Sequence, residues 1–201
     1  MAVPKLPGFV LWEWPVQVLV VSVVCFLTWP PGMSLRPSRS LASIAIGALV
    51  FFLWIAPERI SPHYRSLPWF SNAVLGHVGS SLRPEALKSG WVLFWRTVRA
   101  STIVPIAEEL FWRAWLMRWL INNDFQKVPL GAYLPMAFWL TALFFGLEHG
   151  PYWDVGLITG AIYNFWMIRS KSLGNCILMH AVTNLLLSIY VIAYGQWQYW
   201  Q

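Results

Sequence analysis

Charged residues are scarce in this chain. Lys, Arg, Asp and Glu together make up 11% of its 201 residues, whereas soluble domains average about 25%. Hydrophobic residues reach 58%, and this balance excludes an ordinary soluble globular domain. The 15 tryptophans suit a protein with two lipid–water interfaces. We therefore predict an integral, multi-pass membrane protein with membrane lipid as a partner, placed in the inner membrane if the cell is bacterial.

Dense clusters of positive charge are also absent. The formal net charge is +6, from 14 Lys and Arg against 8 Asp and Glu, but the basic residues stand as singles and pairs between apolar runs. Proteins that bind nucleic acid carry a basic stripe or patch, so no nucleic-acid partner is predicted. Cysteine is rare as well: Cys25 and Cys176 lie far apart in apolar stretches, which argues against a disulfide framework.

Internal repeats, low-complexity tracts and linkers are missing from the sequence. Their absence predicts one integral-membrane domain over residues 1–201. Many secondary transporters are built from inverted repeats. The lack of repeats therefore argues against a transporter as well.

Long apolar runs divide the chain into candidate membrane helices. About 20 apolar residues are needed to cross a bilayer, and a chain in lipid has to satisfy its backbone hydrogen bonds internally. The predicted fold class is therefore all-α, a polytopic membrane helical bundle with about six to seven transmembrane helices. The candidate segments are residues 14–35, 40–57, 91–121, 128–147, 155–168 and 172–194.

Two interruptions are expected in this pattern. Residues 58–90 contain several prolines and glycines and mixed charges, which predict a loop with a short interfacial helix over residues 69–77. Residues 91–121 are too long for one straight crossing and contain Pro105. Because proline removes a backbone donor and clashes with the preceding turn, we expect a kink or break near Pro105.

Ionisable side chains within apolar runs are the strongest functional signal in the sequence. Glu108 and Glu109 are adjacent in a largely apolar segment. A charged side chain near the centre of a membrane helix costs roughly 2.5–3.5 kcal/mol, so such groups usually face a polar cavity and act there. At 3.6 residues per turn Glu109 and Arg113 can pair, whereas Glu108 points about 100° away and is free to face a cavity.

Two histidines lie in other apolar runs. His180 and Asn184 are four residues apart on the last predicted helix, so both side chains can donate hydrogen bonds to one oxygen atom. His149 precedes Gly150 and Pro151, a helix-stop pattern that places its imidazole in a last helical turn. Carboxylates and imidazoles buried together indicate proton-transfer chemistry.

Three ordered motifs resemble a known family. Glu-Glu-x-x-x-Arg begins at Glu108, Phe-x-x-x-His ends at His149, and His-x-x-x-Asn begins at His180. In this order they resemble the CPBP (Abi) family of intramembrane proteases, which includes type II CAAX prenyl endopeptidases and bacterial bacteriocin-processing and immunity proteins. The resemblance covers residues 98–187, the expected catalytic core, and leaves residues 1–90 unmatched.

A second, narrower resemblance concerns two aromatic stretches. HGPYWDVG follows the Phe-x-x-x-His motif, and YGQWQYW lies beyond the last predicted helix. Both look like parts of the CAAX-protease-related proteins of bacteria that carry exosortase sorting systems. This resemblance implies the exosortase-associated branch of the family.

The family resemblance implies a mechanism for hydrolysing a peptide bond. Glu108 would act as the general base and would hold a water molecule together with His149. His180 and Asn184 would stabilise the oxyanion of the tetrahedral intermediate. The four residues are therefore the predicted catalytic set.

The resemblance also implies a supporting pair and leaves a metal question open. Glu109 and Arg113 would set the position of Glu108. Zinc held by two histidines and a glutamate is the alternative way to activate water, although none of the motifs has the compact H-E-x-x-H spacing. Glutamate-activated water without a cofactor is favoured, and zinc stays possible.

Three functions are compatible with these observations. The leading one is an intramembrane endopeptidase that cuts near the terminus of a membrane-tethered or lipidated protein substrate. A non-catalytic binding or immunity protein with the same fold is the alternative, although the motif residues are intact. A small proton-coupled transporter is suggested only by the ionisable groups within helices.

Overall fold

The computed structural model describes residues 8–70, 72 and 75–200 of the chain. Over these residues the protein is all-α, as predicted: no strand is present, and Asn72 and Gly76 form an isolated β-bridge. The helices are α1 (Gly8–Leu27), α2 (Ser40–Ile60), α3 (Gly90–Ser101), α4 (Ile103–Glu109), α5 (Met117–Trp119), α6 (Pro135–Glu148), α7 (Trp153–Ser170) and α8 (Leu173–Tyr194). A π-helical segment, Leu110–Leu116, connects α4 to α5.

Two of the described helices, α2 and α8, are long and apolar enough to cross a membrane. Leu11–Leu27 within α1 and the whole of α6 are shorter apolar helices. Helical structure is present within each of the six candidate membrane segments that the sequence predicts. The structure therefore agrees with a helical membrane bundle, while the six to seven crossings and the multi-pass topology stay predictions.

The long segment over residues 91–121 is interrupted near Pro105, as expected. α3 ends at Ser101 and α4 begins at Ile103, because Thr102 leaves helical geometry at φ −122° and ψ −69°. Pro105 lies in the first turn of α4, where its missing N–H has no partner within the helix. The proline therefore stands near the start of a new helix instead of bending a continuous one.

Small residues allow α6 and α7 to pack closely. Gly156 and Gly160 are four residues apart on α7, and a Cβ built at Gly160 would lie 3.0 Å from the Cα of Ala142 on α6. A Cβ at Gly146 of α6 would lie 2.8 Å from backbone atoms of α7. Small residues at such spacing let two helix backbones approach each other in a membrane. The contact places His149, which follows α6, against α7.

α2 and α8 form a second close pair. A Cβ at Gly47 would collide with the carbonyl oxygen of Met179, and the Thr183 hydroxyl donates to the Gly47 carbonyl at 2.9 Å. From α7, the Trp166 indole N–H donates to the Ser43 hydroxyl of α2 at 3.1 Å. These polar groups find partners inside the protein, which an apolar environment requires.

The main hydrophobic core extends through α2, the π-helical segment, α6, α7 and α8, and it includes Tyr199 and Trp200 beyond α8. A smaller cluster joins Trp14 of α1 to Val92 of α3 and to Ala86 in the preceding loop. The single domain over residues 1–201 stays a prediction.

The loop between α2 and α3 differs from expectation in one place. The sequence predicts a short helix over residues 69–77, of which 71, 73 and 74 lie outside the described residues. Among the others, Asn72 and Gly76 exchange two backbone hydrogen bonds at 3.0 and 2.9 Å, and Gly76 has φ +83°. A left-handed residue cannot continue a helix, so the prediction is wrong for the described part. Short 3₁₀ turns occur instead at Tyr64–Ser66 and Ala86–Lys88.

Candidate active site

One cavity, with a volume of about 310 Å³, opens between α3, α4, α6 and α8. Its lining includes Glu108 from α4, His149 at the end of α6, and His180 and Asn184 from α8. These are the four side chains that the sequence predicts to be catalytic. The fold therefore gathers residues from three separate motifs around one space, and their catalytic roles stay predictions.

The two adjacent glutamates have different surroundings, as expected. Glu109 is fully buried and accepts a hydrogen bond from Arg113 Nη1 at 3.1 Å. Arg113 also donates from Nε to the Asn164 side chain at 3.2 Å and lies over the Phe145 ring at 4.6 Å. Glu108 retains 23% side-chain exposure and lines the cavity. The predicted i,i+4 pair is confirmed, and Glu108 is the carboxylate that faces open space.

A π-helical segment begins directly after these glutamates. Over Leu110–Leu116 the backbone adopts the wider π turn, in which each hydrogen bond spans five residues instead of four. Arg113 lies within the segment and Glu109 precedes it, so the ion pair crosses the point where the helix widens. π-Turns are rare and are frequent at functional sites. The sequence analysis assumed a regular α-helix with 3.6 residues per turn, so it could not predict the π-helical segment.

His180 is held by the buried glutamate. Its Nδ1 lies 2.9 Å from Glu109 Oε1, and its ring packs against Tyr163 with the centroids 5.1 Å apart. A carboxylate only accepts hydrogen bonds when ionised, so Nδ1 carries the hydrogen. The other nitrogen, Nε2, lies 4.0 Å from Glu108 Oε2. The imidazole thus connects the buried glutamate to the one that lines the cavity.

His149 is oriented by the first residue of its own motif. Its Nδ1 lies 2.6 Å from the backbone carbonyl oxygen of Phe145, and its ring packs on Phe145 and on Trp54 at centroid distances of 4.7 and 5.2 Å. Because a carbonyl can only accept, Nδ1 is the donor in this bond. In the neutral ring Nε2 is then an acceptor, which suits a residue that holds a water molecule.

Asn184 of α8 is held by a hydrogen bond to α3. Its amide Nδ2 donates to the carbonyl oxygen of Ala100 on α3 at 2.9 Å. An amide nitrogen carries two hydrogens, so one remains for a second acceptor. Asn184 and His180 both line the cavity, as the sequence predicts, although each side chain is already anchored to a different helix.

Several lining residues escaped the sequence analysis. Arg96 and Arg99 of α3 and Glu148 of α6 add three charged groups to the cavity. Glu148 could be passed over because it adjoins a helix stop, where charges are commonly solvated. The two arginines belong to the same apolar run as Glu108. The helix break predicted near Pro105 could have indicated that they share a cavity with Glu108. Tyr199 and Trp200, which lie beyond the last helix, also contribute to the wall.

The turn that follows His149 is held by the loop between α2 and α3. Arg65, which is buried, donates to Asp154 and to the carbonyl oxygen of Pro151, the latter at 2.9 Å. Tyr64 donates its hydroxyl to Asp154 at 3.0 Å. A charged pair with several hydrogen bonds gives a defined geometry. Arg65 therefore ties the N-terminal half of the chain to the turn that places His149.

The zinc alternative requires a set of close ligands. Catalytic zinc is held by three protein side chains at about 2.0–2.3 Å. Over residues 8–70, 72 and 75–200, no group of three or more His, Cys, Asp and Glu side chains lies in a position to hold a metal ion. The described arrangement does not fit a zinc site, and the metal independence of the reaction stays a prediction.

Comparison with known proteins adds an independent observation. Residues 90–186 match the model of the type II CAAX prenyl endopeptidase Rce1-like family. Over these residues the chain is similar to this family, and the match supports a CPBP-type intramembrane protease. The matched range agrees closely with the predicted core at residues 98–187, and the exosortase-associated branch stays a prediction. No curated protein and no solved structure shows a significant match to the chain.

The Rce1-like family is a family of membrane proteases within the CPBP group. Its matched region contains all three motifs, from Glu108 to Asn184, and every helix from α3 to the middle of α8. α1, α2 and the loop that includes Arg65 lie outside it. The family assignment therefore supports a CAAX-type intramembrane protease in general terms.

Proposed function

We propose that this protein is a multi-pass intramembrane endopeptidase that hydrolyses a peptide bond near the terminus of a membrane-tethered or lipidated protein. The observation that supports this function is the meeting of Glu108, His149, His180 and Asn184 at one cavity within an apolar bundle. A binding protein has no need for a base and a set of hydrogen-bond donors around the same space. The proposed substrate class follows from the family name together with the membrane setting.

The first step is the attack of water on the scissile carbonyl. Glu108 accepts a proton from a water molecule that also donates to Nε2 of His149, and the oxygen of that water bonds to the carbonyl carbon. Base catalysis by a positioned side chain contributes about 10²–10⁴ in rate. Glu108 suits this role because its Oε2 has no hydrogen-bond partner within the described part of the protein.

The tetrahedral intermediate carries a negative oxygen that needs donors. His180 donates from Nε2 when both ring nitrogens carry hydrogen, and Glu109, at 2.9 Å from Nδ1, stabilises that charged ring. Asn184 donates the amide hydrogen that Ala100 does not take. When the intermediate collapses, the carbon–nitrogen bond breaks and Glu108 returns its proton to the leaving amine. The products are a carboxylic acid and an amine, and Glu108 is ionised again.

The Glu109–Arg113 pair positions His180, because both side chains of the pair are fully buried. Arg113 balances the Glu109 charge, and Glu109 in turn fixes the tautomer of His180. Water activation in this scheme depends on side chains alone. We therefore propose that no metal cofactor takes part.

The function can be tested in cells that contain the gene. Removing it should change the mass of a terminus in at least one membrane-associated protein, as measured by mass spectrometry of protein termini. Wild-type protein should restore the native terminus, and a Glu108→Gln variant expressed at the same level should not. Asp124→Asn is a matched control, because Asp124 is half-exposed in a surface ion pair, and such pairs contribute little.

Two results would contradict the proposal. If no terminus changes after deletion, the protein does not process a protein substrate in those cells. If Glu108→Gln restores every phenotype of the deletion, the non-catalytic binding or immunity function is correct instead.

A further inference from the structure

We propose that Arg99 recognises a carboxylate of the substrate and so selects which peptide bond reaches Glu108. This inference rests on the proposed protease function. It concerns a part of the cavity wall that the proposed mechanism does not use, the inner face of α3. The chemical class recognised is a carboxylate, supplied either by the C-terminus of the substrate or by an Asp or Glu side chain.

The helix break at Thr102 is what places Arg99 in the cavity. Arg99 and Glu108 are nine residues apart, and in one continuous helix nine steps of about 100° would leave them on opposite faces. Both nevertheless line the same cavity, because α3 ends at Ser101, α4 begins at Ile103, and Thr102 between them departs from helical geometry. The break therefore brings a cation and the proposed base to one space.

The guanidinium of Arg99 has N–H donors that are not used within the described part of the protein. A guanidinium carries five N–H donors, yet no hydrogen bond or ion pair joins Arg99 to another of the residues that the structure describes. The guanidinium carbon lies 5.3 Å from the centroid of the Trp14 ring, and the guanidinium is also attracted by the carboxylates of Glu13 and Glu108, with which it forms no hydrogen bond. A cation over an aromatic ring is stabilised without using its hydrogens on a carboxylate. The group is therefore positioned by α1 and still able to bind an anion.

Arg96, on the same helix, differs from Arg99 because its side chain is held by other parts of the protein. It is nearly fully buried, donates from Nη2 to the Ser81 hydroxyl at 3.2 Å, and lies 4.6 Å from the centroid of the Trp200 ring. Its contacts join α3 to the loop and to the segment beyond α8. We assign Arg96 a positioning role and Arg99 the recognition role.

The position of Arg99 relative to the proposed oxyanion donors is fixed by a hydrogen bond. Asn184 donates to the carbonyl of Ala100, the residue next to Arg99, at 2.9 Å. Each residue of an extended peptide spans about 3.3–3.6 Å. Consider a substrate bound with its scissile carbonyl at Asn184. A carboxylate that lies within a few residues of the scissile bond would then reach Arg99.

Positively and negatively charged side chains lie on different walls of the cavity. The two arginines are on α3, whereas the carboxylates of Glu108 and Glu148 are on α4 and α6. A substrate carboxylate is repelled by like charge on the α4 and α6 side and attracted to α3, where a guanidinium can bind it through two parallel hydrogen bonds. This separation would orient the peptide in one direction through the cavity.

The test uses a library of lipid-anchored peptides, made once with free C-terminal carboxylates and once as C-terminal amides, in nanodiscs with the purified protein. Products are identified by mass spectrometry. We expect the wild-type protein to cleave carboxylate-containing peptides about 10–100 times faster, from the strength of charge-assisted hydrogen bonds. Arg99→Gln should remove this preference, whereas Arg169→Gln, at an exposed position on α7, should keep it.

The two sources of the carboxylate give different results. Preference for free C-termini over amides identifies the terminal carboxylate. Equal cleavage of both, with Asp or Glu enriched near the cut bond, identifies a side chain. In both cases Arg99→Glu should invert the preference toward peptides with a Lys or an amide in that place. Cleavage without any preference for a carboxylate overturns the inference and leaves the protease function intact.

A binding measurement separates this inference from the protease function itself. The Glu108→Gln variant is mixed with the same peptides in nanodiscs, and bound peptide is quantified after separation. Tighter binding of carboxylate peptides, lost when Arg99→Gln is added, supports the inference even if no cleavage is seen. Equal binding of peptides with and without a carboxylate, whether that carboxylate is the C-terminus or an Asp or Glu side chain, overturns it, whether or not the wild-type protein cleaves peptides.

Discussion

The two halves of this chain contribute to the cavity in different ways. Residues 90–186 match a protease family and contain all of the proposed catalytic side chains. Residues 8–89 lie outside the match, and among the residues of this half that the structure describes only Trp54 lines the cavity. The proposed chemistry is therefore concentrated in one half, and we expect the other half to determine how firmly the proposed catalytic side chains are held.

The N-terminal half acts on the site through packing and charge. Trp54 of α2 lies against His149, and Trp14 of α1 contacts Arg99. Arg65, in the loop, holds the turn after His149 through Asp154. Changes in this half should therefore alter stability and orientation, whereas changes of the proposed catalytic side chains in the matched half should abolish the reaction.

The largest effect is expected from Glu108→Gln in the matched half. The change keeps the shape of the side chain but removes the base, so the rate of peptide hydrolysis should fall by about 10²–10⁴. The thermal unfolding of the protein in detergent should stay close to that of the wild type. Glu109→Gln is the comparison variant, and it should lower stability as well, because it leaves Arg113 buried without its partner. Full activity of Glu108→Gln would end its assignment as the base.

A somewhat smaller loss is expected at the proposed oxyanion donors. His180→Ala and Asn184→Ala should each reduce kcat by roughly 10²–10³, because an oxyanion donor acts mainly in the transition state. KM should change much less. Steady-state kinetics with a fixed peptide measure both values. If Asn184→Ala raises KM and leaves kcat unchanged, Asn184 binds substrate and does not stabilise the oxyanion.

In the other half, Arg65→Met should act on stability. Removing one partner of a buried ion pair costs about 3 kcal/mol or more, because Asp154 is left without its cation. Thermal or denaturant unfolding in detergent should show this loss, and kcat should fall only moderately. The double variant Arg65→Met with Asp154→Leu should recover part of the stability. Unchanged stability of Arg65→Met would show that the loop does not hold the turn after His149.

No effect is expected from removing metal ions. Exhaustive treatment with a chelator should leave the activity of the purified protein intact, and elemental analysis should find far less than one metal ion per chain. A catalytic zinc would lower the pKa of its bound water to about 7, so its removal would abolish activity. Activity that chelation removes and zinc restores would reassign Glu108, His149 and His180 as candidate ligands.

Much of the fold followed from patterns along the chain. Apolar runs predicted the helices, and Pro105 predicted the interruption between α3 and α4, because both are local effects of backbone and side-chain chemistry. The expected helix over residues 69–77 was wrong in its described part. There, Gly76 adopts a left-handed conformation that local composition did not reveal.

The membrane setting, the all-α class and the motif residues could be predicted from the chain alone, because hydrophobicity and residue type are properties of each position. Which side chains share the cavity depended on how the helices pack. Arg99 and Glu148 join it because α3, α4 and α6 meet there. The physical reason is that helix direction after a break, and the π turn after Glu109, depend on packing between distant segments.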